Sequence, residues 1–190
     1  MEGNKIFRVH AYGDLALFAR PELTIDKFSY PMITPPAARG LMECIYWHPG
    51  VEWIIDRIYV RSQIKYVNTS FDSSTSVFAL QNVDYIIDSH FVITDKAGPA
   101  DNPGKITDII RRRLDRENYY KSPYFGSAEF PAYVEPCPFK HIKTAYTGIL
   151  DLGLMPYTYD YTKNTPSPFF FHACLNEGIL DLKRPPKLLR

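Results

Sequence analysis

A chain of 190 residues, 45% of them hydrophobic, is long and apolar enough to bury one core. Its net charge of only +1 excludes a protein that is basic over its whole surface. Three widely spaced cysteines exclude a disulfide framework and a zinc ribbon, and no apolar run approaches the ~20 residues of a membrane helix. The start of the chain carries no signal peptide, which together with the cysteine pattern predicts a cytoplasmic protein.

The first 60 residues predict a strand, a helix and a second strand. Alternating apolar residues indicate a half-buried strand over 6–12, ended by the glycine that follows. Thr34 is a suitable N-cap for a helix that begins at Pro35 and runs to about Trp47. A strongly apolar strand follows over 51–60. The buried stripe of the helix is predicted to consist of Ala38, Leu41, Met42 and Ile45.

The middle of the chain predicts two more strands and a second helix. Residues 63–67 favour a strand, the Ser/Thr-rich segment 71–78 a loop, and 83–94 a long strand. Asn102 and Pro103 are typical of a helix start. The apolar stripe of this helix consists of Ile106, Ile109, Ile110 and Leu114, and its basic residues off the stripe include Lys105, Arg111, Arg112 and Arg116.

The last third of the chain is predicted to be rich in short strands. The final strand pairs lie at 148–161 and 169–182, and the basic, proline-containing tail over 183–190 is predicted to be an exposed arm. The element order predicts an α+β fold. We expect a ferredoxin-like (RRM-like) RNA-binding domain over 1–120 and a β-rich part with a small antiparallel sheet over 121–190.

One helix end groups side chains that suit RNA phosphate chemistry. Arg39, Tyr46 and His48 provide a guanidinium, a phenol and an imidazole within reach of one short helix. A buried tyrosine and an internal salt bridge of the arginine are the structural alternatives. Lys105 begins the second helix, where anions bind readily, and a solvated lysine is its alternative.

No metal site or cofactor site is predicted. His141, His172 and Cys174 have a spacing that matches no zinc template. The sequence also lacks a phosphate-binding loop of the Walker type and the nucleophile and zinc-protease motifs.

Several motifs occur in an order and spacing that are typical of one protein family. They are Gly13-Asp14, Phe18-Ala-Arg20-Pro21-Glu22, Thr34-Pro-Pro-Ala-Ala-Arg39-Gly40, Ile45-Tyr46-Trp47-His48-Pro49, Asp101-Asn102-Pro103-Gly104-Lys105 and Pro123-Tyr124-Phe125-Gly126. In these motifs the chain resembles the Cas-five subunit family of type I-C CRISPR-Cas systems, the Dvulg subtype. The likeness runs in order over most of the chain.

The resemblance implies a metal-independent endoribonuclease without a cofactor. Such a subunit cuts precursor CRISPR RNA at the base of the repeat hairpin and leaves a 2′,3′-cyclic phosphate. It then holds the 5′ tag of the guide within the Cascade surveillance complex. The implied partners are CRISPR RNA, a repeated backbone subunit, a large subunit and, through the guide, target DNA.

The resemblance also implies a catalytic trio, of which this chain keeps two members. By position the tyrosine is Tyr46 and the lysine is Lys105, but Ile106 stands where the family has histidine. Because RNA cleavage needs proton transfer, one role is left vacant, and His48 is the best local substitute. Alternatively, His48 only ends the helix. The expected RNA-binding residues are Arg20, Arg39, Arg112, Arg116, Tyr120, Lys121 and Tyr124, with packing or a solvated surface as the alternative for each.

Three functions therefore stay open at this point. The first is an active repeat endoribonuclease that retains its product. The second is a scaffold that binds the 5′ tag but has lost proton transfer at Ile106. The third is a generic RRM-like RNA-binding module with no CRISPR role.

Overall fold

The structure is a computed structural model that describes residues 6–23, 27–70, 76–162 and 165–189. Two helices and nine strands within these ranges form an α+β fold, as predicted. The helices are α1 (Pro35–Ile45) and α2 (Pro103–Asp115). The strands are β1 (Phe7–Ala16), β2 (Lys27–Phe28), β3 (Val51–Val60), β4 (Tyr66–Ser70), β5 (Ser76–Ile93), β6 (Tyr133–Pro136), β7 (Ile149–Asp160), β8 (Ser167–Asn176) and β9 (Ile179–Asp181).

The described strands form one continuous sheet in the order β6-β1-β5-β3-β9-β8-β7, with β2 and β4 paired to β5. The neighbours along this path are antiparallel. The small antiparallel sheet predicted for the C-terminal part is present as β7, β8 and β9, but it is continuous with the central sheet. The physical reason is β9, which pairs with Arg57–Tyr59 of β3 and buries Leu180, so that the last strands extend the central sheet.

Both helices pack on one face of the sheet, and their predicted starts are confirmed. The Thr34 hydroxyl accepts a hydrogen bond from the Ala37 amide at 3.3 Å, and the Asn102 side chain accepts one from the Gly104 amide at 2.8 Å. The predicted stripes face the core, where Ile109 is half-buried and the other members are buried. Neither described helix is long and apolar enough to cross a membrane.

Two element ends differ from the prediction for local reasons. β1 continues through Gly13 to Ala16, because it stays paired with β5 as far as Leu80. A glycine is needed at 13 for close packing, since a Cβ there would lie 2.9 Å from the Pro131 carbonyl oxygen and 3.1 Å from the Phe125 ring. α1 ends at Ile45, two residues early, since Tyr46 adopts an extended conformation.

Long-range pairing changes three further predictions. β5 begins at Ser76, so the predicted loop is wrong over 76–78, while 71–75 lie outside the described residues. β4 lies over 66–70, three residues later than predicted, because it pairs with the first half of β5. The tail is mostly exposed, as predicted, but it is tied to the sheet near its end, since Leu189 exchanges two backbone hydrogen bonds of 2.8 Å with Phe170 of β8.

Candidate functional site

The C-terminal end of α1 is held by α2 and by the segment that follows it. The last carbonyl groups of a helix lack partners within the helix. Here the Ile45 carbonyl accepts bonds from the Arg113 guanidinium at 2.8 Å and the Tyr120 amide at 3.3 Å. The Lys121 amide donates to the Cys44 carbonyl at 3.0 Å. These bonds fix Arg113, Tyr120 and Lys121 around the residues that follow α1.

Tyr46 lies at the centre of this end, with its side chain 7% exposed. The Arg113 guanidinium stands over its ring at 5.2 Å, and the ring centroid of His48 lies 6.4 Å away. Burial and then the Asp101 carboxylate raise the pKa of the Tyr46 phenol, against the opposing effect of Arg113. Tyr46 therefore remains a neutral phenol near pH 7, which can donate a hydrogen bond but is poorly suited to accept a proton.

His48 is placed beside Tyr46, and one of its two ring nitrogens accepts a hydrogen bond. Its Nδ1 accepts the Gly50 amide hydrogen at 3.1 Å, so the neutral ring carries its proton on Nε2. Nε2 lies 3.8 Å from the Asp101 carboxylate, whose other oxygen accepts the Gly98 amide at 2.7 Å. Proton abstraction by His48 would require the Gly50 bond to break, since the lone pair of the ring is used there.

Lys105 and Ile106 are neighbours in sequence that point in different directions. Lys105 is exposed in the first turn of α2, whereas Ile106 is 2% exposed and belongs to the core. The inward packing predicted from the apolar stripe of α2 is thus confirmed. Ile106 contributes packing, and no proton-transfer group occupies this position.

A basic stripe follows the length of α2. Arg112 and Arg116 come seven and eleven residues after Lys105, which places all three within about 20° of one line along a helix of 3.6 residues per turn. All three are exposed, and none forms an ion pair with a residue in the described ranges. We call Lys105, Arg112 and Arg116 the α2 stripe.

Arg113 is the residue of this region that sequence reasoning missed. It was not among the basic residues of α2 that the sequence singled out for RNA binding. Its position about 80° from Lys105 around the helix turns it toward the end of α1. The angular position of Arg113 on α2, which can be calculated from the sequence, could have shown that it does not share the direction of Lys105.

Two of the other predicted RNA-binding arginines have protein partners. Arg39 lies 3.8 Å from the Glu52 carboxylate, the salt bridge considered as its alternative, and its buried Nε has no hydrogen-bond partner among the described residues. Arg20 stands over the Tyr30 ring at 4.6 Å and approaches Glu22 at 3.5 Å. Neither charge is as available to a ligand as those of the α2 stripe.

The predicted aromatic residues lie beside the end of α1. Tyr120 is exposed and stacks on Trp47, with ring centroids 5.8 Å apart. Tyr124 is half-buried and lies under the Lys121 ammonium group at 4.8 Å. The structure thus brings Tyr46, Tyr120 and Lys121 together around one helix end.

The sheet face opposite the helices has a different charge balance. Its strands present guanidinium groups that are each matched by a carboxylate, and His10 lies between Asp84 and Glu135. Because these cations are already compensated, this face offers little attraction to phosphate. The pairs are Arg8–Asp88 at 2.6 Å, Arg57–Asp181 at 2.8 Å and Arg61–Asp84 at 3.4 Å.

One group of potential metal ligands lies on the C-terminal hairpin. Donor atoms of Asp151, His172 and Cys174 lie within 4.8 Å of one another, all on exposed residues. The Asp151 carboxylate already accepts the Gly153 amide at 2.8 Å and lies 3.0 Å from His172 Nε2. A surface ion pair explains this arrangement, and His141 does not belong to it.

Comparison with known families decides which kind of protein carries this site. A Cas5d family model, described as "CRISPR-associated protein (Cas_Cas5)", matches residues 6–185. The chain belongs to the Cas5d family. The resemblance found in the motifs is confirmed, and an RRM-like module outside this family is excluded.

Named relatives and solved structures agree with the Cas5d family. A "CRISPR pre-crRNA endoribonuclease Cas5d" of Mannheimia succiniciproducens is 30% identical over 216 residues, covering 94% of both chains. The protein of the same name from Thermus thermophilus is 30% identical over 213 residues, covering 92% of this chain and 90% of its own. A crystal structure of a CRISPR-associated protein superposes with a TM-score of 0.84 at 25% identity, over 95% of this chain and 93% of its own. A functionally uncharacterized Streptococcus mutans protein, 23% identical, shares the fold with a TM-score of 0.81 over the same shares.

Proposed function

We propose that this chain is an endoribonuclease that cuts precursor CRISPR RNA within its repeat and keeps the 5′ tag of the product. The observation that carries the proposal is the α2 stripe, whose three cations form no ion pair within the described residues. The stripe begins at Lys105, three residues after the Asn102 cap and close in sequence to the Asp101–His48 pair. The names of the two Cas5d relatives support the substrate. The strand order β6-β1-β5-β3, with α1 and α2 on one face, supports a ferredoxin-like core.

The proposed reaction needs no metal ion. The RNA 2′-oxygen attacks the adjacent phosphorus, the bond to the 5′-oxygen breaks, and a 2′,3′-cyclic phosphate and a 5′-hydroxyl remain. The 2′-hydroxyl proton passes to solvent water, because the described residues of the site offer no free acceptor, and the departing 5′-oxygen takes a proton from solvent water. Additional negative charge on the phosphate oxygens has to be stabilised in the transition state.

Two side chains of the site suit particular parts of this reaction. Lys105, exposed in the first turn of α2, stabilises the phosphate charge at the positive end of the helix dipole. Tyr46, as a neutral phenol, donates a hydrogen bond and orients the scissile group. The bond from Gly50 to His48 favours an orienting role for the imidazole next to Tyr46.

The proposed partners follow from the same family. We propose that the product stays bound along the α2 stripe and beside Tyr120, Lys121 and Tyr124, while the protein joins backbone and large subunits in Cascade. Target DNA is then recognised through the guide. A location in the cytoplasm, where precursor RNA is transcribed, belongs to this proposal.

The test of the proposal is cleavage of labelled repeat hairpin RNA in EDTA. The expected result is one cut at the base of the hairpin, with a 2′,3′-cyclic phosphate on the upstream product. Cleavage that requires added divalent metal contradicts the proposed chemistry. An unrelated hairpin of equal length serves as the RNA control.

The alternative is a scaffold that binds the 5′ tag without cutting, and the burial of Ile106 favours it. With an apolar side chain at the third position of the trio, the described site lacks a free proton acceptor. The same assay separates the two functions. Tight repeat binding with no cut at high protein excess supports the scaffold and contradicts the enzyme.

Replacing Ile106 by histidine is expected to lower stability without raising the cleavage rate. The position faces the core, so the change exchanges buried apolar contacts for an imidazole without a partner. The expected loss in the free energy of unfolding is about 2–3 kcal/mol, checked by urea denaturation. Ile109→His, at a half-buried position of the same helix, is the control and should cost less. A tenfold gain in cleavage by Ile106→His at unchanged stability would show that this position reaches the RNA.

A further inference from the structure

Two exposed aromatic rings stand together at the end of α1. Trp47 is 48% exposed and Tyr120 is 57% exposed, and their rings stack with centroids 5.8 Å apart and planes at 27°. Single exposed aromatic residues are common on protein surfaces. A stacked pair directly after Tyr46 is different, because it leaves a large apolar and polarisable surface beside the proposed reaction centre.

The pair is rigidly placed on its backbone. Trp47 follows Tyr46, whose carbonyl oxygen accepts the buried Trp53 indole N–H at 2.9 Å. The Tyr120 amide is bonded to the Ile45 carbonyl at 3.3 Å, and the next amide, of Lys121, to Cys44 at 3.0 Å. Binding of a ligand to these rings therefore does not require a flexible segment to become ordered. Such preorganisation favours affinity, because little conformational entropy is lost on binding.

The charges near the pair favour an anionic ligand with a planar group. Arg116 and Lys121 flank Tyr120 in sequence, and neither forms an ion pair within the described part of the chain. An unpaired nucleotide combines a phosphate with a base whose face is open. In a duplex that face is covered by the neighbouring base pairs.

We infer that Trp47 and Tyr120 form a stacking platform for one unpaired base of the RNA. This inference rests on the proposed function and adds a residue, Trp47, to the proposed RNA contacts. Trp47 is a positioning residue in this arrangement. It holds the nucleotide next to Tyr46, and it makes the site prefer an unpaired flank beside a hairpin over a blunt hairpin.

Trp47 fluorescence and RNA affinity together test the inference. The probes are a repeat hairpin with a single-stranded flank and the same hairpin without it, each end-labelled for anisotropy. The nucleotide at the cut site is a 2′-deoxynucleotide, which lacks the attacking hydroxyl and so prevents cleavage. The chain has two tryptophans, and Trp53 is 1% exposed, so quenching by RNA reports on Trp47. The expected result is quenching by the flanked hairpin only.

Substitutions separate stacking from a structural role. Trp47→Ala should weaken binding of the flanked hairpin by about 10–100-fold and abolish the quenching, while Trp53 emission shows that the fold is kept. Trp47→Phe should restore most of the affinity, because phenylalanine offers a ring face. Tyr133→Ala is the matched control, since Tyr133 is also exposed and stacked, on Tyr12, but lies on the compensated sheet face.

The outcomes distinguish this inference from the proposed function. Wild-type affinity of Trp47→Ala, or unquenched emission at saturating flanked RNA, overturns the platform and leaves the function standing. Equal affinity of the wild type for flanked and blunt hairpins also overturns it. A wild-type protein that binds neither hairpin overturns the function and the platform together.

Discussion

Replacing Lys105 by alanine is expected to lower the rate of repeat cleavage by about 10²–10³-fold, the effect of removing one donor that stabilises transition-state charge. Lys105 suits this role because it is exposed in the first turn of α2 and forms no ion pair with a described residue. The measurement is single-turnover cleavage of labelled repeat RNA in EDTA at saturating protein.

The binding of RNA should change much less than the rate. Lys105 is one of three cations of the α2 stripe, so its loss removes about one phosphate contact, and the salt dependence of binding should fall by about one unit of slope. Lys143→Ala, a change at an exposed lysine between β6 and β7, is the control and should leave the rate unchanged. A Lys105→Ala variant that cuts within threefold of the wild-type rate would remove Lys105 from the reaction.

Replacing Gly126 by alanine is expected to cost about 3–5 kcal/mol in the free energy of unfolding. Gly126 has φ +80°, where side chains other than hydrogen are strained, and an added Cβ would lie 1.9 Å from the Leu17 carbonyl oxygen. Because that oxygen belongs to the backbone, the turn after Phe125 must move away from the end of β1. Denaturation in urea, followed by circular dichroism, measures the loss.

Gly148 is the matched control for this change. It has φ +70°, but a Cβ there meets no atom within 4 Å. The alanine variant should therefore lose only the free energy of placing a side chain in the left-handed backbone conformation, about 1–2 kcal/mol. If both variants lose the same stability, the close approach of Gly126 to Leu17 contributes nothing.

Local patterns predicted the helices well and their functional ends less well. The caps at Thr34 and Asn102 and the apolar stripes of both helices depend on neighbouring residues, so they were readable from the sequence. The end of α1 depends on Arg113 and Tyr120, which lie more than 60 residues away. No local sequence pattern predicts that Arg113 and Tyr120 donate hydrogen bonds to the last carbonyl groups of α1.

The strands show the same division. β3 was predicted with its observed bounds from its apolar run alone. The first residues of β5 and the docking of Leu189 depend on partners such as β4 and Phe170, and prediction failed there. Pairing with a distant strand overrides a loop-like composition, because each bond satisfies backbone groups that would otherwise be left unpaired.

The candidate site combines both kinds of information. Its residue types, a phenol at 46 and a lysine at 105, were evident from the motifs, and these also identified the family. Which charges remain available was not evident. Arg39 and Arg20 have partners, whereas the α2 stripe has none among the described residues, and ion pairing depends on distances that only folding sets.

Residue patterns along the chain were enough to predict the family, the two capped helices and the inward side of α2, because motifs and helical periodicity depend on neighbouring residues. Three contacts could be seen only in the folded chain: Arg113 covers Tyr46, the His48 Nδ1 accepts the Gly50 amide hydrogen, and Trp47 stacks on Tyr120. Tyr46, the partner of Arg113, and Tyr120, the partner of Trp47, lie 67 and 73 residues away in the chain. Residues this far apart in sequence meet only because the helices pack together on the sheet. Even the hydrogen bond from Gly50 to His48, although short in sequence range, depends on the extended backbone after α1. That backbone is held by the hydrogen bond from the Trp53 indole to the Tyr46 carbonyl oxygen.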